Sequence, residues 1–467
     1  MSRVPYILFI SIFFFDYMAL RLHILPKGFV FFPELLSAFL FIFILLKAAH
    51  TKSFALHPKY IILFAIYFIH IISAIILNGV PEGAIFSGIR YHMKYIPFFL
   101  LPAVYEYSDK QMSMQLKVLL MLALMQLPVS FFQRFVQFRG LFTGDEVRGT
   151  LTVSSALSIL LISTISVLLA LYLKKRLSAK HFIVLIFLLF LPTTINETKG
   201  TLILFPLAVF TVLLVSAKDR EARKKIMLVS TLLAMFGFVF IGSYSLFYIK
   251  EEGRGGVMSF FTNPDQLTHY LYRGSTFDPE LLKAKKGGEG VVETAHEEDK
   301  QHETRIDRMI APISLLSNEP LKLVFGLGIG NVNHTKKEVF MGDYMHLSVL
   351  IGATSTVISL LLWETGILGL FMFLLFIFMI FKDARKLSNT DSFSGAIALG
   401  WLGVVVIFFM SLPYKNVLEF NTLGYLFWYL SGYIVTTHRR QMYELYRKNI
   451  RERYSRFSKE KSRHPEE

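Results

Sequence analysis

Apolar residues run along this chain in long blocks and do not alternate with polar ones. Blocks rich in Leu, Ile and Phe fall at 4–20, 29–46, 60–77, 92–105, 116–136, 154–173, 181–195, 201–217, 226–247, 365–381, 395–412 and 419–437. Most are long enough, at about 1.5 Å per residue, to cross about 30 Å of hydrocarbon as α-helices. The strands of a membrane barrel would alternate apolar and polar over about ten residues, and these blocks do not. The pattern predicts an all-α polytopic membrane protein with about twelve transmembrane helices. The fourth block is short and carries Lys94.

The same pattern divides the chain. Nine helices occupy 1–248, and 249–346 forms one large loop, expected to be periplasmic. Within it, 249–303 is rich in Gly, Pro and charge, a composition that favours mobility. From Thr304 onward Ile306, Met309, Ile310, Ile313 and Leu316 recur at helical spacing, so 304–346 is expected to be ordered. The segment 347–437 holds an apolar helix and the last three spans, and 438–467 is a basic tail. As one helix, Leu347–Phe381 would be roughly 50 Å long, too long for the hydrocarbon core. We therefore expect Leu347–Trp363 to pack as an apolar helix against the outer-side domain, with the tenth span starting near Thr365.

Composition supports this reading and orients it. The 467 residues are 54% hydrophobic, with a mean hydropathy of +0.50. No cysteine is present, which excludes disulfides, thiolate nucleophiles and zinc–thiolate sites. Arg3 precedes an apolar stretch that reaches Arg21 without a small-residue cleavage site, the pattern of a retained first span. Lys174 to Arg176, Lys218 to Lys225, Lys382 to Lys386 and the tail from Arg439 to Arg463 fall on one side, expected to be cytoplasmic with both termini. Most of the net charge of +15 then faces anionic lipid and calls for no nucleic-acid partner. Tyr443, Tyr446, Tyr454 and Phe457 among the tail's cations suit a helix on the lipid surface, and a solvated tail fits the composition equally.

With this threading, cations gather on the outer side: Arg90 before the fourth span, Arg148 before the sixth, Lys199 in Asn196-Glu-Thr-Lys-Gly200, and Arg305 with Arg308 opening the ordered half of the loop. One such residue alone reads as an interfacial cation. Together they suit a pyrophosphate or an acidic sugar, because Arg and Lys make strong charge-assisted contacts to phosphate oxygens. Gly326-Leu-Gly328-Ile-Gly330-Asn331 follows no strand and lacks the Lys-Ser/Thr of a phosphate loop, so close packing explains its glycines better. Glu364 heads a membrane helix, where a carboxylate at bilayer centre would cost about 2.5–3.5 kcal/mol; an interface or polar cavity is its expected place. His334 and His346 flank the loop, and no residues have metal-ligand spacing, Asp343 and His346 being an isolated pair.

The order of these features resembles the O-antigen ligase and polymerase superfamily of bacterial membrane glycosyltransferases. Arg148-Gly149-Thr150 is similar to that family's Arg-x-Gly-Thr turn, and Thr198-Lys199-Gly200 resembles its Ser-Arg-Gly. Arg305 stands where a loop arginine precedes the Gly-x-Gly-x-Gly element, and Glu364-Thr-Gly366-Ile-Leu-Gly369 resembles the family's Glu-x-Gly motif. Where the ligases carry a His-Asn pair shortly before that Glu, this chain has Ser355-Thr356, which points to the polymerase branch.

The resemblance implies a metal-independent enzyme, without a cofactor, in a bacterial inner membrane. It would join undecaprenyl-pyrophosphate-linked repeat units into O-antigen, capsule or exopolysaccharide at the periplasmic face. Lys199, Arg305 and Arg148, with Arg308 and Arg90 beside them, would hold the pyrophosphate, and Glu364, Asp145 and His334 are the candidate catalytic residues. The implied partners are the lipid-linked glycan, the bilayer, a chain-length regulator and a flippase. Two alternatives stand beside it: a ligase moving the glycan to another acceptor, and a transporter passing an anion or polysaccharide through the same cationic cavity. A transporter would favour repeated halves and a midplane site, and neither is evident in the sequence.

Overall fold

A computed structural model describes residues 2–51, 54–139, 146–196, 198, 200–216, 230, 237, 304–333, 335 and 337–463, with the side chains of 456–463 excepted. Every regular element among them is helical. Six helices are long and apolar enough to cross a membrane: Lys27–Thr51, Pro58–Asn78, Asp109–Gln137, Ser154–Leu173, Val357–Ser388 and Phe393–Ser411. Val4–Leu20, Ala179–Ile195 and Thr201–Ser216 are shorter apolar helices beside them. This is a helical membrane protein. Asp145, Lys199, His334, the expected ninth span apart from 230 and 237, Lys218 to Lys225 and the first half of the large loop lie outside the described residues.

In chain order we label α1 (Val4–Leu20), α2 (Phe32–Thr51), α3 (Pro58–Asn78), α4 (Glu82–Met93), α5 (Ile96–Val104), α6 (Asp109–Phe132), α7 (Ser154–Leu173), α8 (Ala179–Ile195) and α9 (Thr201–Ser216). After the large loop come α10 (Arg305–Leu316), α11 (Pro320–Phe325), α12 (Met345–Leu350), α13 (Val357–Ser388), α14 (Phe393–Ser411) and α15 (Asn421–Arg463). Local chemistry marks their starts. Ser108 and Gln111 form a reciprocal cap on α6, and Ser178, Ser392 and Thr356 each accept from a backbone N–H in the first turn of α8, α14 and α13.

The core centres on α14, which packs on α7, α9 and α13, while α15 packs on α5. Between lipid-exposed helices the hydrophobic effect gives little drive, so close approach and polar contacts must supply it. Gly400 and Gly403 provide the approach: a Cβ at either would run into Val167 or Ser166 of α7. Ser166 Oγ then donates to the Gly400 carbonyl at 2.7 Å.

Two ends of the bundle can be told apart by their contacts. At one end Asp383 is held by Lys59 Nζ at 2.6 Å, by the Tyr60 hydroxyl at 2.8 Å and, more distantly, by His438 at 3.7 Å. Arg439 and Arg440 donate to the carbonyls of Phe54 and Pro102, and Arg176 donates to that of Asp391. The basic segments Lys174 to Arg176, Lys382 to Lys386 and 438 onward therefore share one end. The opposite end holds α4, α10 to α12 and the turn joining α14 to α15.

Three segments depart from simple expectation. Leu347–Trp363 is not one helix: α12 stops at Leu350, a turn follows, and α13 starts at Val357. Gly352 turns there with φ +61°, and Thr356 Oγ1 accepts from Ser359 N–H at 3.1 Å, so the break has a turn residue and a cap. The fourth block, 92–105, is shared between α4 and α5, whose axes separate at Lys94 and Tyr95. The tail is helical through Arg463 and continues directly from the stretch expected as the last span.

Candidate functional site

The organising contact at the end opposite the basic one is a break in α13. Gly366 sits at φ +65°, ψ −170°, and interrupts the helix two residues after Glu364. Such a break leaves carbonyls of the preceding turn without intrahelical donors. The glycine loop supplies them: Leu327 N–H donates to the Trp363 carbonyl at 2.7 Å and Gly328 N–H to the Glu364 carbonyl at 3.0 Å. Gly330 N–H donates to Glu364 Oε1 at 2.9 Å.

Gly326, Gly328 and Gly330 all have positive φ, and a Cβ on them would enter the Glu364 backbone, the Val80 side chain and the Ala84 carbonyl respectively. The spacing of these glycines thus seats a loop directly on two helices. Asn78 Nδ2 fastens it by donating to the Gly326 carbonyl at 3.0 Å, and Asn331 Oδ1 accepts from Asp343 N–H at 2.8 Å. His346 is buried just beyond, in α12.

Glu364 is fully buried, and its second oxygen lies 2.6 Å from His92 Nε2, a ring that is itself buried. Both carboxylate oxygens are therefore engaged, one by α4 and one by the loop. His92 has a neighbour in α4 with a parallel task. The Tyr91 hydroxyl accepts from Asn416 Nδ2 at 2.5 Å, and the same amide donates to the Thr354 carbonyl at 2.8 Å. One turn of α4 thus ties down the glycine loop, the break in α13, the turn before α13 and the turn after α14.

The cations divide by environment. Arg305 opens α10 behind the reciprocal cap of Thr304 and Asp307, and its guanidinium lies 3.9 Å from the centre of the Tyr414 ring. Tyr414 also packs on Gly200, where a Cβ would lie 3.6 Å from its Cζ. One ring therefore joins the start of α10 to the segment that contains Lys199. Arg308, one turn on, lies against Gly352, and its Nε is buried without a hydrogen-bond partner among the described residues. Ser355 Oγ, Thr198 Oγ1 and Thr201 Oγ1 are likewise buried without a partner among the described residues.

Arg148 is committed elsewhere. It donates to Glu146 Oε1 at 2.8 Å and to the Thr152 carbonyl at 3.1 Å. Its segment still runs to the same place: Asn196 Nδ2 donates to the Ser154 carbonyl at 3.0 Å, and Asn196 Oδ1 accepts from Thr198 N–H at 3.2 Å. Arg90 is exposed, lies over the Phe31 ring and is paired with Glu34 of α2. Lys94 is nearly buried, bonded to Asn421 Oδ1 at 3.0 Å.

The structure thus brings together Arg305, Arg308, the 198–200 segment and, through Asn196, the Arg148 turn, and it sets Arg90 apart. Sequence reasoning did not single out His92, Tyr91, Tyr414 or Asn416. The available signals were polar residues inside a weak apolar block and the Pro413-Tyr-Lys-Asn416 turn between two strong ones. No group of three or more His, Cys, Asp or Glu able to hold a metal occurs among the described residues. Comparison of the sequence with protein-family models and with curated proteins gives no significant match.

Proposed function

We propose that this chain is a membrane glycosyltransferase that polymerises lipid-pyrophosphate-linked oligosaccharide repeats. A hydroxyl of one repeat attacks the anomeric carbon of another, the bond to the pyrophosphate breaks, and the polyprenyl pyrophosphate leaves with the electron pair. The single observation that supports it best is Tyr414, whose ring carries the Arg305 guanidinium on one side and meets Gly200 beside Lys199. Arg308, whose buried Nε has no partner among the described residues, supplies a third cation within one helical turn of Arg305.

Donors fixed where negative charge develops lower the barrier without reorganisation, and a pyrophosphate leaving group is where such charge appears. In this reading Lys199, Arg305 and Arg308 hold the leaving group. Arg148 braces the neighbouring turn, and Arg90 has no part in the clamp. Glu364 is a positioning residue, since both its oxygens are spent on His92 and Gly330. Asp145 and His334 stay as candidates for the base that takes the hydroxyl proton.

Deletion of the gene in its host, followed by gel analysis of surface polysaccharide, tests the reading. A single-repeat product in place of polymer is expected. Intact lipid-linked polymer that fails to reach its final acceptor would replace polymerase by ligase. Unchanged polysaccharide would remove the glycan reading and favour an anion transporter.

A further inference from the structure

Attack by a sugar hydroxyl needs a group that takes its proton, and several carboxylates at this end of the bundle are already spent. Both oxygens of Glu364 are engaged by His92 and Gly330, Asp307 closes the reciprocal cap of α10, and Glu146 pairs with Arg148 and Arg21. Glu419 differs. It is exposed, and it stands in the turn between α14 and α15, outside both helices and five positions after the ring that carries Arg305.

That turn is a firm mount. Glu419 N–H donates to the Asn416 carbonyl at 3.1 Å and Phe420 N–H to the Val417 carbonyl at 3.3 Å, so the backbone on either side of the carboxylate is fixed. The Tyr91 hydroxyl is hydrogen-bonded to the Glu419 carboxylate, and Asn416 Nδ2 approaches its Oε1 at 3.4 Å. The same amide donates to the Thr354 carbonyl, two residues after Gly352, against which Arg308 lies. Glu419 is thus linked to two cations of the clamp, to Arg305 through the turn that holds Tyr414 and to Arg308 through Asn416. The elements crowding one side of the carboxylate raise its pKa above the ordinary 4.5, against the Tyr91 hydrogen bond and the charges of Lys94 and Lys415. Its other side is open to water.

We propose that Glu419, in place of Asp145 or His334, is the base that takes the proton of the attacking hydroxyl, an inference that rests on the glycan reading. As the hydroxyl oxygen bonds to the anomeric carbon, its proton passes to the Glu419 carboxylate. The carbon–oxygen bond to the pyrophosphate breaks, and its electron pair stays on the leaving group held by the cations. The protonated carboxyl then gives its proton to water, which the exposure of Glu419 permits.

The test is polymerisation, by the purified full-length chain, of the lipid-pyrophosphate-linked repeat extracted from a deletion strain. Glu419→Gln keeps an acceptor for the Tyr91 hydroxyl and should bind the repeat as the wild type does, while its turnover falls about 100-fold or more, the least a general base usually contributes. Glu419→Ala should lose as much and regain part of it with added formate, a carboxylate small enough to enter an exposed site. A role in packing alone would not respond to formate. Glu319→Gln, at the same end and paired with Lys322, should leave turnover unchanged. A smaller fall in Glu419→Gln, a parallel loss of binding, or no revival of Glu419→Ala by formate would overturn the assignment. A wild type that makes no polymer from this substrate would instead remove the glycan reading itself, and the inference with it.

Discussion

The contact between Glu364 and His92 gives the most direct quantitative test. Glu364 has a side-chain exposure of 0% and His92 of 2%, so solvent cannot replace either partner once the other is removed. Removing one partner of a buried hydrogen bond strands the other, at a cost of about 1–3 kcal/mol and more where a charged group is involved. Glu364→Ala also strands the Gly330 N–H, a buried donor whose loss of partner costs about 1–3 kcal/mol on its own. These costs overlap, because the relaxing loop can rescue part of either, and a total of about 3–5 kcal/mol is expected. Glu364→Gln keeps an acceptor for Gly330 and offers a donor to a neutral His92, so it should lose only about 1–2 kcal/mol. His92→Leu paired with Glu364→Leu removes both polar partners, takes from the Gly330 N–H and the Tyr67 hydroxyl, 3.5 Å from His92 Nδ1, the groups they face, and should be more stable than Glu364→Ala alone. Reversible unfolding of the purified chain in mixed micelles, read by intrinsic tryptophan fluorescence, orders the variants. If Glu364→Ala unfolds within 1 kcal/mol of the wild type, or less easily than Glu364→Gln, the pin does not hold this end together.

Four further outcomes are expected. Gly330→Ala should cost at least as much as Glu364→Gln in the same unfolding assay, since its Cβ would enter the Ala84 carbonyl. Tyr414→Ala should lower polymer formation about 2–30-fold while Tyr414→Phe stays near wild type, because the ring face, worth about 0.5–2 kcal/mol, holds Arg305; equal loss in both would assign the effect to the hydroxyl. Reporter fusions after Lys180 and after Glu467 should report one compartment and a fusion after Lys286 the other, and any different result breaks the threading. His438 is held below its ordinary pKa of 6.5, first by burial, against the pull of Asp383 and with Lys386, Lys59 and His57 opposing its charge. The unfolded chain then binds the extra proton, so this contribution is complete above pH 6.5 and is lost as pH falls below it. The melting temperature should drop between pH 7.5 and 5.5, and His438→Leu should flatten that drop; an unchanged drop points to another group.

Much of the fold was legible because lipid imposes length. A block of about twenty apolar residues has few options in a membrane, and α2, α3, α7 and α14 lie where the blocks are. Misplaced boundaries arose where apolarity and backbone geometry disagree. Leu347–Trp363 is apolar throughout, so hydropathy reads one helix, yet Gly352 at positive φ and the Thr356 cap divide it. The 92–105 block failed in the opposite sense: α4 begins ten residues earlier, in a stretch too polar to register as a span. At the site, the glycine spacing was legible as close packing, because only glycine tolerates both the positive φ and the approach of a neighbouring helix. The partner of Glu364 was not, since His92 lies 272 positions away and nothing local marks the pairing.

The placement of these residues makes α4 the element that links stability to the proposed chemistry. Tyr91 and His92 are adjacent, yet they point to different structures: His92 to Glu364 and the glycine loop, Tyr91 to Asn416. Asn416 lies two residues from Tyr414, in the short turn between α14 and α15, and Tyr414 carries Arg305. A shift of α4 caused by loss of the Glu364 pin would therefore reach the cations through Tyr91 and Asn416, with no direct contact between Glu364 and any of them. Buried packed elements move as units, so such a shift need not be large to displace a guanidinium held by one ring face. A carboxylate with both oxygens occupied can thus be indispensable to activity without touching substrate. The distinction is measurable: a positioning role predicts that Glu364→Gln, which keeps the pin, keeps most activity, whereas a proton-accepting role predicts that it loses all of it.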